Sequence, residues 1–411
     1  VQILRKNPVL LSLVVSLLLL GAPAQAQTDR RAAIEELLQR RAEAILERDR
    51  DAFAATLADA GSAFGRRQLQ FFDNLAGVPL AAYELAADWS VYGDLVRPSD
   101  RRRYAADDVA VPFVREAYRL EGFDRRKVYH DAYFTFVEQE GTWAVASDSD
   151  LDDLGLFTQR SLWDFDPIAL DHSDHFLSVA ARCCSPDTGR LLSTAEQALD
   201  RVDRYWTEGW NKKVPLFVPA STDDLSSILQ ATYPVENYVA FAYWTGGSGD
   251  STGARVIVNP ERFSGDGSLR SFEILSHELF HVATLPHSGP FVPNWLDEGI
   301  AQFVQYDGDA GKVDSFDIAV ASTGDAHAPE SYEFFVGDET AIYRQYQRSL
   351  SLIGYVVDRW GYERLERLYV ELGRAGDEPG VERFHVDRAV RDVLGLSLRD
   401  LELGWASSIG A

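Results

Sequence analysis

The stretch that most restricts this chain is Ser276-His277-Glu278-Leu279-Phe280-His281, followed after a short loop by Trp295-Leu296-Asp297-Glu298-Gly299-Ile300-Ala301. At about 3.6 residues per turn, positions 277 and 281 of a helix lie one turn apart on one face, so both imidazoles can reach a single ion. Leu269 to Thr284 supplies that helix: Phe272, Leu275, Leu279 and Val282 form an apolar stripe, and Leu285-Pro286 stops it. Nitrogen donors of this kind suit zinc, whose catalytic sites use three protein ligands and keep a fourth position open. Two histidines leave one ligand to find. A helix expected from near Asn294 offers Glu298, and the Ser288 to Pro293 loop, with its Gly and Pro, lets that helix fold back on the first. The pattern predicts one zinc ion per chain, on His277, His281 and Glu298, with Glu278 set between the histidines.

Together, H-E-x-x-H and W-L-x-E-G-x-A resemble the gluzincin branch of the zinc metallopeptidases, the group of thermolysin-like enzymes, zinc aminopeptidases and smaller bacterial peptidase MA-like proteins. The resemblance implies His277, His281 and Glu298 as zinc ligands and Glu278 as general base. Sixteen residues separate His281 from Glu298, fewer than in the aminopeptidases, so aminopeptidase activity is not implied. A rival pattern shares the stretch, because His287 stands at the third-histidine position of the metzincin motif H-E-x-x-H-x-x-G-x-x-H. Thr284 occupies the glycine position of that motif, where the sharp turn needs easy access to positive φ. The chain also contains no methionine for a Met-turn. His287 is therefore expected in a loop beside the ligands. Tyr343 to Trp360 reads as a long helix, apolar at Leu350, Ile353, Val356 and Val357. It resembles the peptidase MA-like helix that carries Tyr-x-x-Ser before an aromatic-Gly pair, here Tyr346-Gln347-Arg348-Ser349 and Trp360-Gly361. That resemblance implies a Tyr346 facing the metal; a tyrosine packed in the core is the other reading.

Arg5 and Lys6, the apolar run Val9 to Leu20 and the small-x-small site Ala24-Gln25-Ala26 read as a signal peptide over residues 1–26, cleaved after Ala26. The run is too short for a comfortable membrane span, so a secreted or extracytoplasmic protein without a stable span is expected, an uncleaved anchor being the alternative. A formal net charge of −24 argues against nucleic acid as a partner and for solubility. The two cysteines, Cys183 and Cys184, are adjacent and do not form the spread framework of a disulfide-stapled fold; they receive no catalytic role.

Residues 27–150 read as a separate α+β unit. Helices at Arg31 to Arg48 and Arg67 to Leu75 precede strand-like runs at Tyr83 to Trp89, Val109 to Leu120, Val128 to Glu138 and Thr142 to Ala146, the last following a Glu140-Gly141 turn. This order resembles an NTF2-like domain, a cone of helices on a curved antiparallel sheet, with a structural or substrate-presenting role. His130 and Asp131 are neighbours in a strand, so their side chains face opposite ways and make no catalytic pair. Residues 151–190 read as a connecting segment with short strands at Ile168 to Leu170 and Phe176 to Ala180. Between them, Asp171-His172-Ser173-Asp174-His175 is read as a polar turn and kept only as a second-metal candidate. Residues 191–411 are expected to form the gluzincin peptidase-like domain, zincin-like, with a mixed sheet and the H-E-x-x-H helix. A capping box at Ser193-Thr194-Ala195-Glu196 opens a helix to about Trp206. Strands are expected at Val214 to Pro219, Tyr238 to Trp244 and Arg255 to Asn259, with a Ser221-capped helix to Leu229. Arg255 to Asn259 is expected to be the sheet edge that takes an extended peptide. Gly246 to Gly249 reads as a plain loop, since a phosphate loop needs the Lys and helix that are missing after it.

The expectation is an α+β, exported, zinc-dependent peptidase acting on peptide or protein substrates, with Glu278 as base and Tyr346, or else His287, as donor to the oxyanion. The alternative is a catalytically inactive, zinc-stabilised extracellular binding or surface module. Glu278 speaks against it, because a structural site needs no base between its histidines.

Overall fold

A computed structural model describes residues 24–184, 187–245, 252–263, 267–374 and 381–411. Most of the expected signal segment and the Gly246 to Gly249 loop lie outside these residues; Ala24 to Ala26 form the first turn of a helix. The fold is mixed α+β. Helices α1 (Ala24–Glu47), α2 (Arg50–Ala54) and α3 (Ala63–Leu75) come first. Asp49 and Ser62 cap the second and third by accepting from the backbone N–H of Ala52 and Gly65. Strand β1 (Leu80–Asp88), helix α4 (Pro98–Tyr104) and strands β2 (Asp108–Ala110), β3 (Phe113–Leu120), β4 (Val128–Ala132), β5 (Thr135–Gln139) and β6 (Thr142–Ser147) follow.

Two runs that read as single strands are each divided. Val109 to Leu120 breaks at Pro112, which has no N–H to give a ladder, and Val128 to Glu138 breaks after Ala132. The chain thereby passes from one antiparallel sheet, β2-β5-β6, to another, β1-β3-β4, and back. Backbone donors at the breaks are taken up elsewhere: Val111 N–H by Asp94 Oδ1 at 2.9 Å and Tyr133 N–H by Thr158 Oγ1 at 3.1 Å.

Strands β7 (Ile168–His172) and β8 (Phe176–Ala181), from the segment read as a connector, belong to the same sheet as β9 (Val214–Val218), β10 (Ala240–Tyr243) and β11 (Arg255–Val258). The order is β10-β11-β9-β8-β7; β11, β9 and β8 run parallel, and the two outer strands are antiparallel to their neighbours. The expected edge at Arg255 to Asn259 is corrected here, since β11 is interior and β10 is the edge. A short strand between two partners gives the same apolar sequence as one at an edge, so the pattern alone could not tell them apart.

Both faces of this sheet are covered, and its side chains alternate accordingly. Leu216, Val218, Ala242, Val256 and Val258 share a core with helices α5 (Thr188–Tyr205) and α7 (Leu269–Thr284). Val179, Phe217, Phe241, Tyr243 and Ile257 share the other core with Leu37, Phe53, Val114 and Trp163 of the N-terminal part and with helix α6 (Thr222–Leu229). The N-terminal part is thus the second layer over the sheet. Two polar contacts pin it there: Arg255 holds Asp124 with two bonds of 2.8 Å, and Gln159 Nε2 donates to Tyr243 Oη at 2.6 Å. The start of α5 is also corrected. Its cap is Asp187, while Thr194 lies inside the helix with its hydroxyl on the carbonyl of Arg190.

The remaining helices are α8 (Asn294–Gln305), α9 (Ala310–Thr323), α10 (Glu339–Trp360), α11 (Tyr362–Gly373), α12 (Glu382–Leu394) and α13 (Leu398–Ile409). Gly299 lets α10 press onto α8, because a Cβ there would stand 2.6 Å from Ile353 Cγ1 and 2.9 Å from the Ser349 carbonyl oxygen. Gly373 does the same at the end of α11, where a Cβ would overlap the His287 carbonyl oxygen at 1.6 Å. These two contacts hold the helix pair α7 and α8, with the loop between them, against the rest. No helix among the described residues is long and apolar enough to cross a membrane.

Candidate metal centre

From Leu275 onward α7 is buried on all sides, because α5, α8 and the sheet surround it. Its register turns His277 and His281 to one face, and α8 brings Glu298 to meet them. The Nε2 atoms of the two histidines lie 3.1 Å apart, and Glu298 Oε2 is 3.2 Å from His277 Nε2 and 3.5 Å from His281 Nε2. Donors held about 2.0–2.1 Å from one tetrahedral zinc would be separated by roughly 3.3–3.4 Å. This buried group of two histidines and a glutamate can hold a metal ion.

The far side of each ring faces an acceptor, the arrangement common among metal-ligating histidines. His277 Nδ1 donates to Gln305 Oε1 at 2.9 Å, which leaves the Nε2 lone pair for an ion. His281 Nδ1 faces Asp297 Oδ2 at 3.5 Å, and the other oxygen of that carboxylate accepts from the fully buried Tyr369 Oη at 2.8 Å. Burial alone would lower the His281 pKa, but the Asp297 and Glu298 carboxylates outweigh it and hold it up to about 10. Glu298 is driven to about 2 against the upward pull of its own burial, chiefly by His281. A proton on His281 and a metal ion are alternative ways to neutralise the same carboxylates.

Glu278 has no exposed surface. Its Oε2 accepts from the Ala242 N–H of edge strand β10 at 2.8 Å, and its buried Oε1 has no hydrogen-bond partner. Such an orphan costs about 1–3 kcal/mol unless something else meets it. Val239 accepts from Asn259 on the β11 side, so by alternation Ala240 and Ala242 turn their own N–H and C=O outward. That open edge borders a cleft of about 430 Å³, whose walls include His277, Glu278, Tyr238, Gln302, Tyr306, Tyr343 and Tyr346.

Tyr346 lies in that wall, half-buried, with its ring edge-on to Phe334 at 5.5 Å; burial first, then Glu298, pushes its phenol well above the usual range. His287 is not part of the donor cluster; it follows α7 in a short turn with its ring against Trp206 at 5.6 Å. Of the Asp171 to His175 segment, Asp171 and His172 end β7, paired with Ser178 and Leu177, and Ser173 to His175 alone turn into β8. There His175 Nδ1 contacts Glu196 Oε2 at 2.7 Å and Asp171 Oδ2 accepts from Thr188, so the possible ligands are drawn apart. Among the described residues no second group of three such donors converges.

Sequence reasoning missed Gln305, Asp297, Tyr369 and Tyr238. Asp297 had a signal, since it precedes Glu298 in the motif. Gln305 and Tyr369 had none, because nothing local says which polar residue will lie behind a ring. No known family model matches this chain, and no curated protein gives a match to it.

Proposed function

We propose that the protein is an exported zinc-dependent peptidase of gluzincin type, with zinc on His277, His281 and Glu298 and a peptide or protein as substrate. The observation that carries this reading is Glu278, buried beside the donor triangle with one oxygen pinned by the edge strand and the other unpartnered. When bound there, zinc supplies Lewis acidity and brings the pKa of a water to about 7. The chain's own residues account for the other requirements. The outward N–H and C=O of Ala240 can pair with an extended substrate backbone and lay it along the cleft. Glu278 Oε1 is placed to take a proton from the attacking water and pass it to the leaving nitrogen. Tyr346 supplies a hydroxyl donor for the carbonyl oxygen as charge develops on it.

A purely structural zinc site gives no use for an unpaired buried carboxylate or for a cleft reaching the ligands, which weighs against the inactive-module alternative. The N-terminal layer then supports the sheet that carries the substrate edge. The deciding experiment is incubation of the zinc-loaded protein with a diverse peptide mixture and mass-spectrometric mapping of new termini. Cleavage that disappears in Glu278→Gln, with zinc retained, supports the reading; a zinc-loaded protein that cuts nothing removes it.

A further inference from the structure

Tyr346 is not the one phenol in the cleft that His277 and Glu278 line. Tyr238 lines the same cleft from the strand side, just before edge strand β10, whereas Tyr346 comes from α10. Its backbone is fixed at both ends: the N–H donates to the Val235 carbonyl at 3.1 Å, and the carbonyl accepts from Asn259 Nδ2 at 3.0 Å. The ring is wedged by Tyr233, edge-on at 5.9 Å, and by Phe241 at 5.4 Å. Burial first, then the Glu298 carboxylate, raises its phenol above the usual range. Among the described residues its hydroxyl has no hydrogen-bond partner. A rigid ring with an unengaged hydroxyl in the cleft is the arrangement a donor needs, since no reorganisation is left for the moment of reaction.

We propose that Tyr238 is a catalytic residue whose hydroxyl donates to the oxygen of the attacked carbonyl from the strand side, opposite the donation from Tyr346. This rests on the peptidase reading. The hydroxyl keeps its proton throughout: water adds to the carbonyl carbon, Glu278 carries one of the water's protons to the nitrogen, the C–N bond breaks, and the second proton passes from the new carboxyl group to the amine, which leaves a carboxylate and an ammonium. Phenylalanine would serve as well in packing against Tyr233 and Phe241, so the hydroxyl is the part to test.

The test uses the full zinc-loaded chain and one peptide found to be cleaved, with steady-state kinetics of wild type, Tyr238→Phe, Tyr346→Phe, the double variant and Glu278→Gln. Tyr238→Phe should lower kcat about 10- to 100-fold with KM, zinc content and Tm unchanged, as for loss of one oxyanion donor, and the double variant should fall below either single one. A Tyr238→Phe kcat within about twofold of wild type, or a change confined to KM, overturns the proposal while Glu278→Gln still vouches for the peptidase. Should Tyr238→Phe lose zinc or unfold, Tyr238→His, which restores a ring donor, must recover kcat without recovering the native packing; failure to do so makes Tyr238 structural. No cleavage by wild type overturns the peptidase reading itself, and this proposal with it.

Discussion

Two regions of this protein bury ionisable side chains, and they do so in opposite ways. Inside the N-terminal layer, Arg41 donates to Thr56 Oγ1 at 2.8 Å and to Gln68, and it covers the Phe53 ring at 4.0 Å. Gln68 passes the chain of bonds to Asp148, which also takes Arg160 at 2.6 Å, with Asp164 3.6 Å from that guanidinium. Each cation there has an anion within the same network. Around the candidate metal site, Asp297 and Glu298 face two histidines with Glu278 in the same cleft wall, and the ion pairs found for Asp297 and Glu298 among the described residues are to those rings alone. The first arrangement is closed and holds a structure together. The second concentrates acceptors that, among the described residues, have no ion pair with an Arg or Lys, which is the condition a bound cation relieves.

Five measurements test that contrast. Glu278→Gln should lose about 10²–10⁴-fold of hydrolysis, the usual range for a general base, with zinc content unchanged by metal analysis. Undiminished turnover removes Glu278 from the chemistry. Zinc at about a thousand times its Kd should stabilise the wild type by about 4 kcal/mol in thermal unfolding. Glu298→Ala should abolish that shift and His287→Ala should keep it; the reverse pattern would make His287 the ligand.

Asp124→Ala leaves the buried Arg255 guanidinium unpaired and should cost about 3–5 kcal/mol in denaturant unfolding, with zinc stoichiometry intact. A loss below about 1 kcal/mol would mean that the layers do not depend on this pair. Tyr369→Phe frees the Asp297 carboxylate behind His281 and should weaken zinc about 10- to 100-fold in competition with a chelator. Equal affinity in the two proteins would reduce Tyr369 to packing.

The last result belongs to the closed network and is read as a slope against pH. Burial, then Asp164, raises Glu116 from 4.5 to about 8. Between those values the folded protein keeps a proton that the unfolded chain has released, so the contribution is full below about pH 4.5 and is lost as pH rises toward about 8. Glu116→Gln should flatten that part of the stability profile and leave the zinc-induced shift untouched. A profile of unchanged slope would show that Glu116 ionises normally in the fold.

Much of the site was legible because it is written in local periodicity. The spacing of His277 and His281 places both rings on one face in any helix, and the observed bounds of that helix, Leu269–Thr284, are those its apolar stripe and Leu285-Pro286 stop define. Glu298 followed from the same kind of reasoning, since a short Gly-Pro loop returns the chain to its neighbour. The bends at Pro112 and after Ala132 were partly visible, in one proline, but not the exchange of sheets they produce.

Local sequence is enough for the set of donors and for the helices that carry them. Long-range packing alone makes β10 the edge strand, gives Glu278 the N–H of Ala242, sets Gln305 and Tyr369 behind the two histidines, and brings Arg255 to Asp124 across 131 positions. The physical reason is one of range. Helical registry is a property of the backbone within a turn or two, whereas strand order and ring orientation depend on which distant surfaces complement one another, and no short window of residues contains both partners.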